Sequence, residues 1–125
     1  MKLLVTGGRT FVDRTLVYHV LDKLHAKHVF SHLIHGNAFG ADAIADGWCN
    51  TSGVQPVACR ALWDYYRGLD QVRLAGIMRN IAMAALEPDL VVVFPGGRGT
   101  AHMASMAEGR GIKVVIALEI AGKEL

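Results

Sequence analysis

The sequence predicts an α/β fold, a Rossmann-like three-layer sandwich in which helices cover both faces of a five-stranded parallel sheet ordered 3-2-1-4-5. Three observations carry this expectation. Short β-branched runs alternate with stretches of helical periodicity along the chain. The apolar runs, of which Leu90-Val91-Val92-Val93 is the plainest, suit strands buried on both faces. Glycine clusters follow three of the predicted strands, where the loops of a βα fold stand.

Residues 3–6 make the first short apolar strand, and residues 11–27 repeat apolar side chains at helical spacing through Leu16, Val20, Leu21 and Leu24. A second strand covers residues 29–35 and stops at Gly36. Residues 40–51 read as a helix closed by Gly53, and residues 54–59 as the third strand. The pattern is weakest over residues 60–76, where Trp63, Tyr65 and Tyr66 lie between strand and helix with Gly68 and Gly76 as punctuation. Residues 77–86 are helical, 89–94 form the fourth strand, 100–110 a helix and 112–118 the fifth strand. Right-handed crossovers restrict the strand order, and 3-2-1-4-5 sets strands one and four side by side at the switch point.

With 125 residues, 52% hydrophobic and 19% charged, the chain suits one compact domain over residues 1–125 rather than a disordered segment. A formal net charge of +2 is too small to mark a dedicated nucleic-acid or anionic-membrane binder. Cys49 and Cys59 stand apart without metal-ligand spacing and read as reduced core thiols of a cytoplasmic protein. Residues 1–6 run straight into glycines without the apolar length of a signal peptide, and no stretch is long enough to span a bilayer.

The segment Phe94-Pro95-Gly96-Gly97-Arg98-Gly99-Thr100 follows the fourth strand directly. Three glycines in four positions let backbone N–H groups converge on a ligand, a side chain at Gly97 is expected to block that approach, and Thr100 reads as the N-cap of the next helix. At the carboxyl end of a parallel strand this makes a phosphate cradle, with the positive helix terminus beneath and Arg98 beside it. The first turn of that helix has no acid, while Arg98 and His102 add positive potential, a mismatch that an external anion resolves. Neither common nucleotide fingerprint is present: no Lys-Ser/Thr pair makes a P-loop, and His102 stands where a dinucleotide turn has its third glycine. Gly7-Gly8-Arg9-Thr10 ends the first strand and His35-Gly36-Asn37-Ala38-Phe39-Gly40-Ala41-Asp42 the second, so three glycine loops meet on one rim.

Gly7-Gly8-Arg9-Thr10, His35-Gly36-x-x-x-Gly40-Ala41-Asp42, Arg79-Asn80-x-x-Met83 and Pro95-Gly96-Gly97-Arg98-Gly99-Thr100-Ala101-x-Met103 resemble, in this order, the motifs of the SLOG superfamily of Rossmann-like domains. That superfamily takes in the Smf/DprA DNA-processing proteins and the LOG cytokinin-activating phosphoribohydrolases. The chain is most similar to the small stand-alone YspA-like branch, and the resemblance runs from residue 1 to about residue 118. It implies a site for a nucleotide or nucleotide-derived ligand built from Gly7, Gly8, Arg9, Thr10, His35, Gly36, Gly40, Asp42, Arg79, Asn80 and the loop from Pro95 and Gly96 through Thr100. In LOG enzymes a glutamate three residues after the loop threonine cleaves the N-glycosidic bond. Here that position is Met103, whose thioether neither stabilises an oxocarbenium-like centre nor handles a proton. His102 and Asp42 are the remaining candidates for acid/base work. Asn37 replaces the family's usual glycine, a mild change because Asn tolerates a left-handed backbone.

Several residues carry two readings. Arg9 faces the ligand or pairs with Asp13 on the following helix. If the helix over residues 77–86 begins at Gly76, as the resemblance implies, Arg79 lies in its first turn, and Asn80 beside it orients a base or ribose or caps a backbone group. Asp42 serves the helix dipole or accepts a hydrogen bond from a ribose hydroxyl. His35 donates to a ligand phosphate or bonds a backbone carbonyl. Trp63 and Tyr66 stack on a base, roof the core or form a subunit contact. His25, His28, His32 and His35 lack the Cys or carboxylate that would complete a tetrahedral set, so no metal is expected. The helix over residues 77–86 has little polar surface, which predicts burial by the sheet on one side and by another subunit of a homodimer or higher homo-oligomer on the other.

The expectation is therefore binding or sensing of a small nucleotide-derived ligand, with no cofactor assigned. Hydrolysis of a nucleotide N-glycosidic or phosphate bond is the alternative. Single-stranded DNA binding is a third reading, which wants a longer basic groove with interleaved aromatics.

Overall fold

The computed structural model describes residues 1–122. Its elements are β1 (Lys2–Thr6), α1 (Arg14–His28), β2 (His32–His35), α2 (Ala41–Ser52), β3 (Gln55–Ala58), α3 (Trp63–Gly68), α4 (Val72–Ala85), β4 (Leu90–Val93), α5 (Arg98–Gly109), β5 (Lys113–Ile116) and α6 (Ala117–Gly122). The strands form one parallel sheet in the order β3-β2-β1-β4-β5. This is the predicted α/β Rossmann-like topology. Leu4 sits opposite Ile34 on one side and Val91 on the other, which fixes the register at the centre.

Alternation along β1 explains the two cores. Leu3 and Val5 point to a cluster with Val20, Leu21 and Trp48 of α1 and α2, while Leu4 points to the opposite cluster with Met83, Met103 and Ala107 of α4 and α5. A strand buried on both faces has no polar alternation, and β1 shows none after Lys2.

The boundaries differ from expectation where capping decides them. Asp13 accepts a hydrogen bond from the Leu16 N–H at 3.0 Å, so α1 starts at Arg14 instead of residue 11. Val29 closes it in a left-handed conformation, φ 55°, with its N–H on the His25 carbonyl, and β2 therefore begins at His32 instead of residue 29. Gly53 ends α2 at φ 79°, as its position predicts. The ambiguous residues 60–76 resolve into α3 and the first turn of α4. Gly76 lies inside α4 rather than at its start, and a β-carbon there would make ordinary contact with the Trp63 ring at 3.5 Å. The fifth strand stops at Ile116, and the helix formers that follow, anchored by the buried Ala117, turn into α6. Among the described residues no helix is long and apolar enough to cross a membrane.

Candidate functional site

A cavity of about 520 Å³ opens at the carboxyl edge of β1 and β4, the switch point of the sheet. Thr6, Gly7 and Gly8 form one wall, the first turn of α5 a second, and Trp63 with α4 the roof.

Backbone contacts hold the three loops together. The Gly8 N–H donates to the Pro95 carbonyl at 2.8 Å, and the Gly8 carbonyl accepts from the Ala41 and Phe11 N–H groups at 3.3 and 3.2 Å. Gly40 reaches this junction at φ 73°, where any side chain would overlap the Gly8 and Arg9 carbonyls. A β-carbon on Gly96 would overlap Thr100 Oγ1 and stand 2.7 Å from the Gly8 nitrogen. These glycines bring main chains into contact, and the Gly8 N–H is engaged within the protein rather than offered to a ligand.

The free N–H groups are at α5. That helix starts at Arg98, two residues earlier in the chain than predicted, with Gly97 as its N-cap, and no side chain caps it. The first intrahelical bond runs from Ala101 to the Gly97 carbonyl, which leaves the N–H groups of Arg98, Gly99 and Thr100 at the cavity wall they line. Thr100 is thus the third helical residue and is buried, a correction to its reading as the N-cap. Gly97 takes φ −103° with nothing within 4 Å of its β position, so the expected steric need for glycine lies at Gly96 instead. No acidic residue occupies the first turn.

Charge around the cavity is one-sided. Arg9, Arg73, Arg79 and Arg98 line it, against the single carboxylate of Asp42. Arg9 and Arg79 both lie over the Trp63 ring, 4.8 and 5.7 Å from its centroid. Asp13 caps α1, and Arg9 turns to Trp63 rather than pairing with it. Because α4 starts at Val72, Arg79 falls in its second turn, not its first, and still reaches the strand ends, where Nη1 donates to the Gly36 carbonyl at 3.0 Å. Burial pulls the Arg79 guanidinium below its ordinary pKa, and Asp42 opposes that pull.

Asp42 lies in the first turn of α2 and is 5% exposed. Its Oδ2 accepts from the Gly36 and Ala38 N–H groups at 3.0 and 3.4 Å, so it fastens the second loop as well as facing the helix dipole. Burial pushes its carboxyl up, against the pull of His35, those N–H groups and Arg79.

Asn80 clasps α4 to α5: its Nδ2 donates to the Gly99 carbonyl at 3.3 Å and to His102 Nδ1 at 2.9 Å. That contact makes His102 Nδ1 the acceptor and puts the proton of the neutral ring on Nε2. Both residues line the cavity. Met103, the position of the LOG glutamate, is 0% exposed and packs in the core with Leu4, Ile34 and Val91.

Several expected site residues lie elsewhere. His35 is 1% exposed, with Nδ1 accepting from the Asn37 N–H at 3.0 Å and Nε2 on Asp46 at 2.7 Å. Both ring nitrogens are engaged, so it shapes the second loop and does not meet a phosphate. Thr10, Gly40, Pro95 and Gly96 flank the cavity without lining it, and Gly36 lines a second cleft of about 690 Å³ across Trp63. Trp63 stands in both clefts, whereas Tyr66 lines neither. Arg73 escaped the sequence reading; its spacing to Ile77 and Asn80 would have placed it on the cavity face had α4 been started at Val72. Among the described residues, no group of three or more His, Cys, Asp or Glu side chains converges as a metal site. Cys49 and Cys59 are free, and burial pushes the Cys49 thiol up to about 11.

The family described as YspA, cpYpsA-related SLOG matches residues 1–66. The chain is also 37% identical over 122 residues to the Gene 61 protein of Mycobacterium phage D29, an alignment covering 91% of this chain and 94% of that protein. No solved structure matches it. With the parallel sheet and glycine-rich rim in place, the matching sequence establishes that the chain belongs to the YspA, cpYpsA-related SLOG family.

Proposed function

We propose that the cavity binds a nucleotide or nucleotide-derived anion, its phosphate against the first turn of α5 and its remainder beneath Trp63 and α4. One observation carries this reading: four arginines and an uncapped helix N-terminus converge on a cavity with a single carboxylate. The volume suits a small ligand of this class. Family membership supports nucleotide-related binding or processing in general terms.

Binding or sensing without cleavage is favoured because Met103 offers no carboxylate and faces the core. A hydrolase is the second reading, supported by His102, an acid/base side chain that lines the cavity. The two separate in one assay: robust base release from nucleoside monophosphates, abolished by His102→Ala with binding intact, would establish the hydrolase.

A thermal-shift panel of AMP, ADP-ribose, NAD and cyclic dinucleotides tests the binding proposal. At least one ligand should raise the wild-type melting temperature, and Arg98→Ala should weaken that ligand by roughly tenfold to a hundredfold through loss of a charge-assisted contact. No shift from any of them at millimolar concentration would overturn it. The same account has the chain work as a homodimer through the exposed apolar Met78 and Ile81 on α4. The two free thiols support a cytoplasmic setting.

A further inference from the structure

Two buried polar atoms in the cavity wall have no hydrogen-bond partner: Asp42 Oδ1 and Arg79 Nε. Such atoms are rare in folded proteins, since each has given up its bonds to water. Neither side chain is loosely placed. Asp42 Oδ2 accepts from the Gly36 N–H, and Arg79 Nη1 donates to the Gly36 carbonyl, so both grip the same residue, and their charges act on each other across the wall.

The chemistry of the pair narrows what can satisfy it. A phosphate or carboxylate would meet the Asp42 carboxylate, and an ammonium group would meet the Arg79 guanidinium. A neutral group that both donates and accepts suits an unpaired acceptor and an unpaired donor in the same wall, and a hydroxyl does both. In a ligand whose phosphate lies at α5, hydroxyls are carried by the sugar.

We infer that Asp42 and Arg79 read a sugar hydroxyl and make the cavity selective for ribonucleotides over deoxy forms, an inference that rests on the nucleotide reading of the site. Asp42 is then a specificity residue as well as a fastener of the second loop. A ligand lacking the hydroxyl would leave both groups as unpaired as they are in the free protein, so the preference arises from the bonds that only the hydroxyl gains.

The test is isothermal titration of wild type, Asp42→Asn and Arg79→Lys with AMP, GMP, CMP and UMP and with their 2′,3′-dideoxy counterparts, each variant first checked for folding by circular dichroism. For wild type, the best-bound ribonucleotide should exceed its dideoxy counterpart by about tenfold or more. Asp42→Asn and Arg79→Lys should each reduce that preference, weakening the ribonucleotide by a larger factor than the dideoxy compound. Equal wild-type affinity for the two series, a comparison that needs no variant, overturns the inference and leaves nucleotide binding standing. A variant that weakens both series equally also overturns it, for the residue then acts on the loop alone. If neither series binds, the nucleotide reading itself falls, and this inference with it.

Discussion

Arg79 lies directly on Gly36. Its Nη1 bonds the Gly36 carbonyl at 3.0 Å, and a β-carbon at Gly36 would stand 3.0 Å from its Cδ, Nε and Cζ. The missing side chain in the second loop leaves room for a cation from α4, joining two elements far apart in sequence.

Gly36→Ala should therefore displace the guanidinium with little general damage to the fold. The lost hydrogen bond and shifted charge are expected to cost ligand binding about 1 kcal/mol, roughly fivefold in Kd, at a nearly unchanged melting temperature. Titration calorimetry beside a melting curve separates these effects. A large drop in stability with unchanged affinity would contradict the relationship.

The loop after β4 contains one glycine that packing demands and one that it does not. Gly96→Ala would drive a methyl group into Thr100 and the Gly8 nitrogen and should destabilise the protein by roughly 1–3 kcal/mol. Gly97→Ala meets open space at a negative φ and should stay within about 0.5 kcal/mol of wild type. Denaturant melts of the two variants compare them directly, and the reverse order would refute this account of the loop.

Met103→Glu restores the residue type used by LOG enzymes, but at a fully buried position among Leu4, Ile34 and Val91. An unpaired carboxylate there should destabilise the fold by roughly 3 kcal/mol or more and create no base release. Calorimetric unfolding and chromatography of incubated nucleoside monophosphates check both parts. A stable, hydrolytic variant would show that position 103 can turn to the cavity.

The α4 stripe predicts a concentration-dependent homodimer, because Ile81 is 38% and Met78 43% exposed on one helix face. Ile81→Glu should shift wild-type dimer toward monomer in light scattering. A wild-type monomer throughout the micromolar range would remove this proposal.

Much of this architecture could be read from the chain. Continuous apolar strands and right-handed crossovers led to the observed strand order, and the glycine runs after β1 and β4 marked the rim where the cavity opens. The misreadings share a cause: local signals were settled by distant contacts. Gly76 reads as a helix breaker but lies within α4 under Trp63, and this hid the turn that carries Arg73. Thr100 and Gly97 both suit an N-cap, and the chain uses Gly97, with Thr100 buried in the first turn beside Gly96. His35 ends its strand beside the rim, yet Asp46, a full turn further along α2 than Asp42, holds its ring away from the cavity.

The central claim is that a nucleotide phosphate sits on the first turn of α5. A ¹H–¹⁵N correlation spectrum of labelled protein titrated with the best ligand from the thermal-shift panel tests it most directly. The account predicts saturable shifts centred on the amides of Arg98, Gly99 and Thr100, with the Trp63 indole moving in parallel. Shifts confined to the far side of Trp63, around Arg60 and Tyr65, or no saturable shift at all, would contradict it.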